Sequence, residues 1–403
     1  MKIKIKSNNE IICWILTVLL ITSFSVFEMY SWGKIVFVLI TLAIYLRYIL
    51  KTRKIVFPMG PYQKFFIVFT ASVFLNVLWS GNRYNTLEKG ITLLEILLVF
   101  SLVYIYYIHE SNIDYLLSAI KFAGYFLAFY TIAYYGLSNL LNMTSRMRNE
   151  FANVNTIGLY CAVACFIQVY EILYHKKINL SALSVIPCVF VIAATESRKA
   201  IIYLIIGTIL LFVCKNLEEK NIVKAMLQAI VVMLIAIFII YELSSLPLFA
   251  GINTRLQTLF NLYSGTGTYD QSAWLRNQML VRGFRGWLEN VIGGIGIGNT
   301  GVLVADLGYG GSYLHNNFIE LLAGGGMICF VCYYSMYIYI IYNLIKYRKY
   351  DMHRAVFGII WAIMTLCMDF GMVTYYSKTQ WFYLLVMFLN IYHMKKSAKE
   401  QMI

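Results

Sequence analysis

Twelve apolar runs, most of them close to the length of a bilayer-spanning helix, follow one another along this 403-residue chain with short polar breaks between them. A bilayer core takes about twenty apolar residues per helix, so runs of this length leave few folds open. They lie near 11–27, 33–50, 64–80, 90–108, 115–137, 155–174, 180–195, 199–214, 223–242, 314–345, 353–370 and 379–394. Lipid cannot satisfy backbone polar groups, and continuous runs lack the alternation of a barrel strand. The expected fold is an all-α polytopic membrane protein of about 12 transmembrane helices, a single integral membrane domain over 1–403. Only 13% of residues are charged, about half the share in a soluble domain, which points the same way. The lysines at 2, 4 and 6 precede the first run without a cleavage pattern after it, so that run reads as a retained helix.

Basic residues set the orientation. With both termini cytoplasmic, the inner segments hold sixteen lysines and four arginines, and the outer segments hold four lysines and eight arginines. Most of the net charge of +14 is then inner-face lysine in contact with anionic lipid, and no exposed basic domain exists for nucleic acid. Orientation needs charge alone, which lysine supplies. The outer excess of arginine needs another reason. A guanidinium offers a planar fork that grips phosphate through two bonds, so the outer face reads as a site for an anionic ligand.

The long segment is the extracytoplasmic loop between spans nine and ten, about 243–313. Loops of that length are usually functional. Its middle, from about Gln271 to Asn290, is expected to be an amphipathic helix, with Arg282, Arg285 and Glu289 on one face, Arg276 elsewhere, and Trp274, Leu275 and Trp287 suited to a half-buried position. Four of the five histidines sit at inner ends of spans. His315 alone is outer, where the loop meets the tenth span, with Glu320 about one turn later. Imidazole can take a hydroxyl proton near neutral pH. Glu95, Glu320 and Asp369 fall near the outer surface within their runs and suggest a polar cavity open to that side.

Other motifs carry less. The run Ile292-Gly-Gly-Ile-Gly-Ile-Gly298 follows no strand, so it is expected to bring backbone close to a helix or ligand rather than to bind a dinucleotide. All eight cysteines lie in apolar runs, Cys329 and Cys332 included, and read as packing residues without disulfides or a structural metal. No cofactor is expected.

Four segments in order over about 145–335 resemble the O-antigen ligase and polysaccharide-repeat polymerase (Wzy-type) superfamily. They are Arg148 with Asn153-Val-Asn155-Thr-Ile-Gly158, then Thr195-Glu-Ser-Arg198-Lys199, then Arg276 ahead of Gly294-Ile-Gly296-Ile-Gly298, and finally His315-Asn316-Asn317-Phe-Ile-Glu320 through Gly326. Val154 stands where that family commonly has proline, and no proline precedes the glycine run. The resemblance implies a metal-independent membrane glycosyltransferase in a bacterial cytoplasmic membrane. It would polymerise polyprenyl-diphosphate-linked oligosaccharide repeats into a surface polysaccharide, either O antigen or capsule.

In that scheme His315 and Glu320 are the catalytic pair. Arg148, Asn155, Arg198, Arg276, Arg282, Arg285 and Asn316 bind substrate, Arg198 and Arg276 foremost on the diphosphate. Partners would be the lipid-linked donor and acceptor glycans, membrane lipid, and assembly proteins such as a flippase and a chain-length regulator. The rival readings are a ligase that moves finished glycan to another acceptor, and a transporter or flippase of lipid-linked sugar.

Overall fold

The computed structural model describes residues 8–27, 29–57, 59–109, 113–142, 147, 150–176, 180–218, 271–308 and 313–401, with isolated positions between 223 and 261. Every element among them is helical. The chain divides into two compact units. The first comprises 1–51, 109–257 and 352–361, and the second 52–108, 258–351 and 362–403.

In the first unit α1 (Asn8–Ser25), α2 (Ser31–Thr52), α5 (Ile113–Tyr135), the short α6 (Leu137–Leu141), α7 (Val154–His175), α8 (Val185–Ala194) and α9 (Arg198–Glu218) are present. The second holds α3 (Pro61–Asn76), most of α4 (Arg83–His109), α10 (Gln271–Glu289), α11 (Asn317–Tyr347) and α13 (Lys378–Glu400). The chain passes from the first unit to the second within α12 (Met352–Asp369).

Seven helices among the described residues are long and apolar enough to cross a membrane: α2, α4, α5, α7, α9, α11 and α12. Two of the remaining expected windows have different bounds in the structure. The window 180–195 starts as a 3-10 turn over Leu180–Ser184 and becomes ten residues of α8. Pro187 has no N–H for a carbonyl four residues back, so it suits only the first turn of a helix. The window 64–80 ends early, at Asn76, whose side chain serves the second unit's core as described below. The window 223–242 lies outside the described residues.

Packing in the first unit centres on α7, buried along most of its length against α5, α8 and α9. Asn153 caps it, its Oδ1 accepting from the Asn155 N–H at 2.9 Å. A buried charge in a membrane bundle needs a partner. Lys121 of α5 has one in Glu171 of α7, and it also donates to Gln168 Oε1 at 3.2 Å.

The second unit is organised by a broken helix. Gly326 has φ +63 and ψ −168 inside α11, which interrupts the hydrogen-bond ladder of that helix. The glycine run lies across the gap and takes up the freed groups. Ile295 N–H donates to Ala323 O at 2.9 Å and Gly296 N–H to Gly324 O at 2.8 Å. In return Met327 N–H donates to Val291 O at 2.9 Å and Ile328 N–H to Ile292 O at 3.3 Å. Irregular backbone in a membrane protein is tolerated where protein satisfies it in this way.

Asn76 locks the other side of the run. Its amide donates to Gly293 O and its Oδ1 accepts from Ile297 N–H, both at 2.6 Å. Asn299 adds bonds to Ser80, Asn82 and Asn85 at the start of α4. The glycines are there for space. A Cβ on Gly296, at φ +111, would collide with Ser80 Oγ and Asn299 Nδ2, and one on Gly326 would collide with Ile292 O.

Gly296→Ala is therefore expected to destabilise the second unit by about 3 kcal/mol, from strain and overpacking together. Gly308, also left-handed at φ +78 but with nothing within 4 Å of a Cβ, is the control. Gly308→Ala should cost only about 1 kcal/mol. Thermal unfolding in detergent checks the pair; equal melting temperatures would overturn the account.

Candidate active site

The glycine run leads into the 3-10 turn Thr300–Leu307, which packs against α10. That helix is amphipathic, as its sequence predicts, and turns Met279, Gly283 and Gly286 inward. A Cβ on Gly283 would meet Leu314 and Ile319 at 2.5 Å, and one on Gly286 would meet Leu303 at 2.8 Å, so the two glycines let α10 lie close on its neighbours. A small apolar core of Met279, Val304, Leu314 and Ala323, flanked by Leu275 and Leu307, binds the helix to the 3-10 turn Thr300–Leu307 and to α11.

Over the first two turns of α10 lies a cavity of about 380 Å³. Among the described residues, the helix lines it with Gln271, Ser272, Trp274, Leu275 and Arg276, and Leu307 and His315 line it as well. Arg276 and His315, 39 positions apart in sequence, thus share one cavity. His315 sits at φ +55, a left-handed conformation that only a few per cent of non-glycine residues adopt. Such strain persists where surrounding contacts enforce it, and it clusters at functional sites.

The enforcing contacts are visible on both sides of His315. Glu320 is buried, and its two oxygens accept from Thr300 Oγ1 at 2.7 Å and from Leu314 N–H at 2.9 Å. It therefore fixes the residue immediately before the histidine. Asn316, immediately after it, caps α11 by accepting from Ile319 N–H at 3.0 Å and donates its amide to Phe370 O at 3.2 Å. Asn317 completes the clamp: its Oδ1 accepts from the N–H groups of Thr374 and Tyr375, and its amide donates to Tyr334 and Asp369. Asp369 in turn accepts from Thr374 Oγ1 at 2.6 Å.

Three groups absent from the sequence-based set lie nearby. The Tyr313 ring is 4.4 Å from the His315 ring. Burial pushes the Tyr313 phenol above its ordinary pKa; the Arg276 guanidinium pulls it down and the Glu320 carboxylate pushes it up. Tyr376 is raised as well, by burial first and then by Glu320 and Tyr313. The Lys89 ammonium stands 4.2 Å over the Tyr376 ring and within electrostatic reach of Glu320. The one signal that could have found Lys89 is its charge at the start of an apolar run.

The other expected residues are placed as follows. Arg282 forms an ion pair with Asp306, and Arg285 is exposed further along α10. Asn155 and Arg198 belong to the first unit, where their two motifs meet: a Cβ on Gly158 would lie 2.7 Å from Thr195 Oγ1 and 3.3 Å from Ser197 Cβ. Glu196, in that second motif, is also left-handed, at φ +47. Arg148 lies outside the described residues, as do the loop positions 243–257, 259, 260, 262–270 and 309–312.

No curated protein matches the chain. Residues 183–334 match the Wzy_C family model, described as O-antigen ligase. That stretch runs from before α8, through α9, α10 and the glycine run, into α11, and so includes Arg198, Arg276, His315, Asn316 and Glu320. Apolar helices of membrane-spanning length and this match together mark an integral membrane protein. The chain therefore carries a Wzy_C domain at 183–334, in agreement with the O-antigen ligase and Wzy-type superfamily that its motifs resemble.

Proposed function

We propose that the chain is a membrane glycosyltransferase that polymerises repeat units carried on polyprenyl diphosphate, with the α10 cavity as its reaction site. The observation that carries this reading is the shared cavity of Arg276 and His315. Glycosyl transfer from a diphosphate carrier needs two functions: a cation for the departing diphosphate, and a base for the attacking hydroxyl. An acceptor hydroxyl oxygen bonds to the anomeric carbon of the donor while the carbon–oxygen bond to the diphosphate breaks. The hydroxyl proton passes to the His315 imidazole, and the diphosphate leaves with the bonding electrons, its charge met by Arg276. Guanidinium groups placed in advance stabilise charge as it develops, which is where such donors have most effect.

Glu320 acts here as a positioning residue, because both its oxygens already hold the backbone and Thr300 beside His315. Asn316 has the same task through Ile319 and Phe370. Arg198 is a second candidate for the diphosphate, with Asn155 as a further substrate-binding residue and Arg148, Arg282 and Arg285 as auxiliary cations. Lys89 and Tyr376 extend the polar surface around Glu320.

The description of the matched domain as an O-antigen ligase favours one second reading, transfer of finished glycan to another acceptor. The glycan profile of a deletion strain separates the two. Loss of a polymerase should leave single repeats on the surface acceptor, whereas loss of a ligase should leave long chains on the carrier lipid. An unaltered glycan profile would count against both.

A further inference from the structure

Arg276 and His315 account for two of the polar groups in the α10 cavity and leave its largest side chain without a task. Trp274 is 37% exposed and lines the same cavity. Among the described residues it takes part in no ring stack and no indole hydrogen bond. Trp287 on the same helix is different: its indole N–H donates to Val291 O at 3.2 Å and its ring lies 5.3 Å from Phe284. Trp79 donates to Gly293 O at 2.9 Å, and Trp381 stacks on Phe66 with ring centroids 3.4 Å apart. These tryptophans are used for packing. Trp274 presents its surface to a cavity.

Beside it stand the amide of Gln271 and the hydroxyl of Ser272, side chains that both donate and accept. An aromatic face next to neutral donors and acceptors suits one kind of ligand well. A pyranose has an apolar face of C–H groups and a rim of hydroxyls, so the ring can lie on the indole while the rim meets the amide and hydroxyl. A diphosphate can take the indole N–H but not the indole face, and a polyprenyl chain can use the face but not the polar groups beside it. The cavity volume is at the small end of the roughly 300–1,000 Å³ typical of ligand sites. It has room for a sugar ring.

We infer that Trp274, Gln271 and Ser272 form the subsite for the donor sugar attached to the diphosphate, with Trp274 as its stacking platform. Arg276, two residues along the same helix, places the phosphate site next to it. This rests on the reading of the cavity as a glycosyl-transfer site.

The test uses the purified full-length chain in detergent, with lipid-linked repeats extracted from cells lacking the gene as donor. Two inhibitors are compared: the phosphate-free repeat oligosaccharide released from that lipid, and inorganic pyrophosphate. Trp274→Ala should raise the donor KM and the oligosaccharide Ki about tenfold, the order expected for one aromatic stacking contact. Its kcat should change far less, and its pyrophosphate Ki should stay at the wild-type value. Trp274→Phe should remain close to wild type, and Trp274→Leu should resemble the alanine variant.

An unchanged oligosaccharide Ki in Trp274→Ala, with pyrophosphate still inhibiting, overturns the subsite alone. So does a leucine variant as good as phenylalanine, which would assign Trp274 to apolar anchoring in the bilayer surface. Failure of pyrophosphate to inhibit the wild type, together with a silent Arg276→Lys, removes the underlying reading. Should Trp274→Ala misfold, Gln271→Ala carries the test, since Gln271 is exposed at the start of the helix. Its oligosaccharide Ki should rise several-fold, and an unchanged value overturns the subsite.

Discussion

Replacing His315 by asparagine is expected to reduce glycan transfer at least about a hundredfold, the lower range for loss of a general base, while folded protein stays in the membrane. Asparagine is the informative substitution because of the backbone. At φ +55 an alanine would carry a conformational cost that asparagine largely avoids. The Asn variant therefore isolates the imidazole from the strain of its position. Single-turnover transfer by purified protein, with the protein level measured in parallel, checks the outcome. Near-normal polymer length from this variant would exclude His315 from the chemistry and leave its left-handed geometry as a structural feature only.

Arg276→Lys is expected to lose nearly as much as Arg276→Ala, about 10²- to 10³-fold in kcat, the range seen when one charge-stabilising donor is removed from a reaction site. The lysine keeps the charge. It lacks the planar two-pronged donor that matches a phosphate, and its ammonium is a more strongly hydrated point charge. Arg282 supplies the comparison on the same helix, because its guanidinium already faces Asp306 at a partly exposed position. Exposed ion pairs contribute about 0–1 kcal/mol, so Arg282→Lys should change the rate only a few-fold. A silent Arg276→Lys would remove the diphosphate from this cavity.

Helices were readable from sequence wherever an apolar run stood alone, and less so where a distant partner decides the ending. α10 is the clearest success. A helix is expected over about 271–290, with Arg282, Arg285 and Glu289 spaced by three and four on one face, and a helix is present over Gln271–Glu289. α3 shows the opposite. Hydropathy carries it to 80, but the helix ends at Asn76, whose side chain binds a segment more than 200 residues away. The same applies to the break at Gly326. Three consecutive glycines signal close approach without naming what approaches, and the answer, Val291 to Gly296, lies in another motif.

Site residues divide along similar lines. Arg276 and His315 were singled out because, in the expected orientation, arginines and one histidine stand apart from the inner-face lysines. Glu320 was grouped with His315 from its spacing, but only coordinates reveal that Thr300 and Leu314 occupy both its oxygens. Tyr313 and Tyr376 were hidden among 33 tyrosines, where no single one stands out.

The stitched break in α11 bears on how the length of this chain can vary. Four backbone bonds join 291–296 to 323–328 in a fixed pairing. Adding or removing one residue between Asn290 and Gly298 would shift every pair and leave buried amides facing the wrong carbonyls. Natural relatives can therefore be expected to keep the glycine run at constant length.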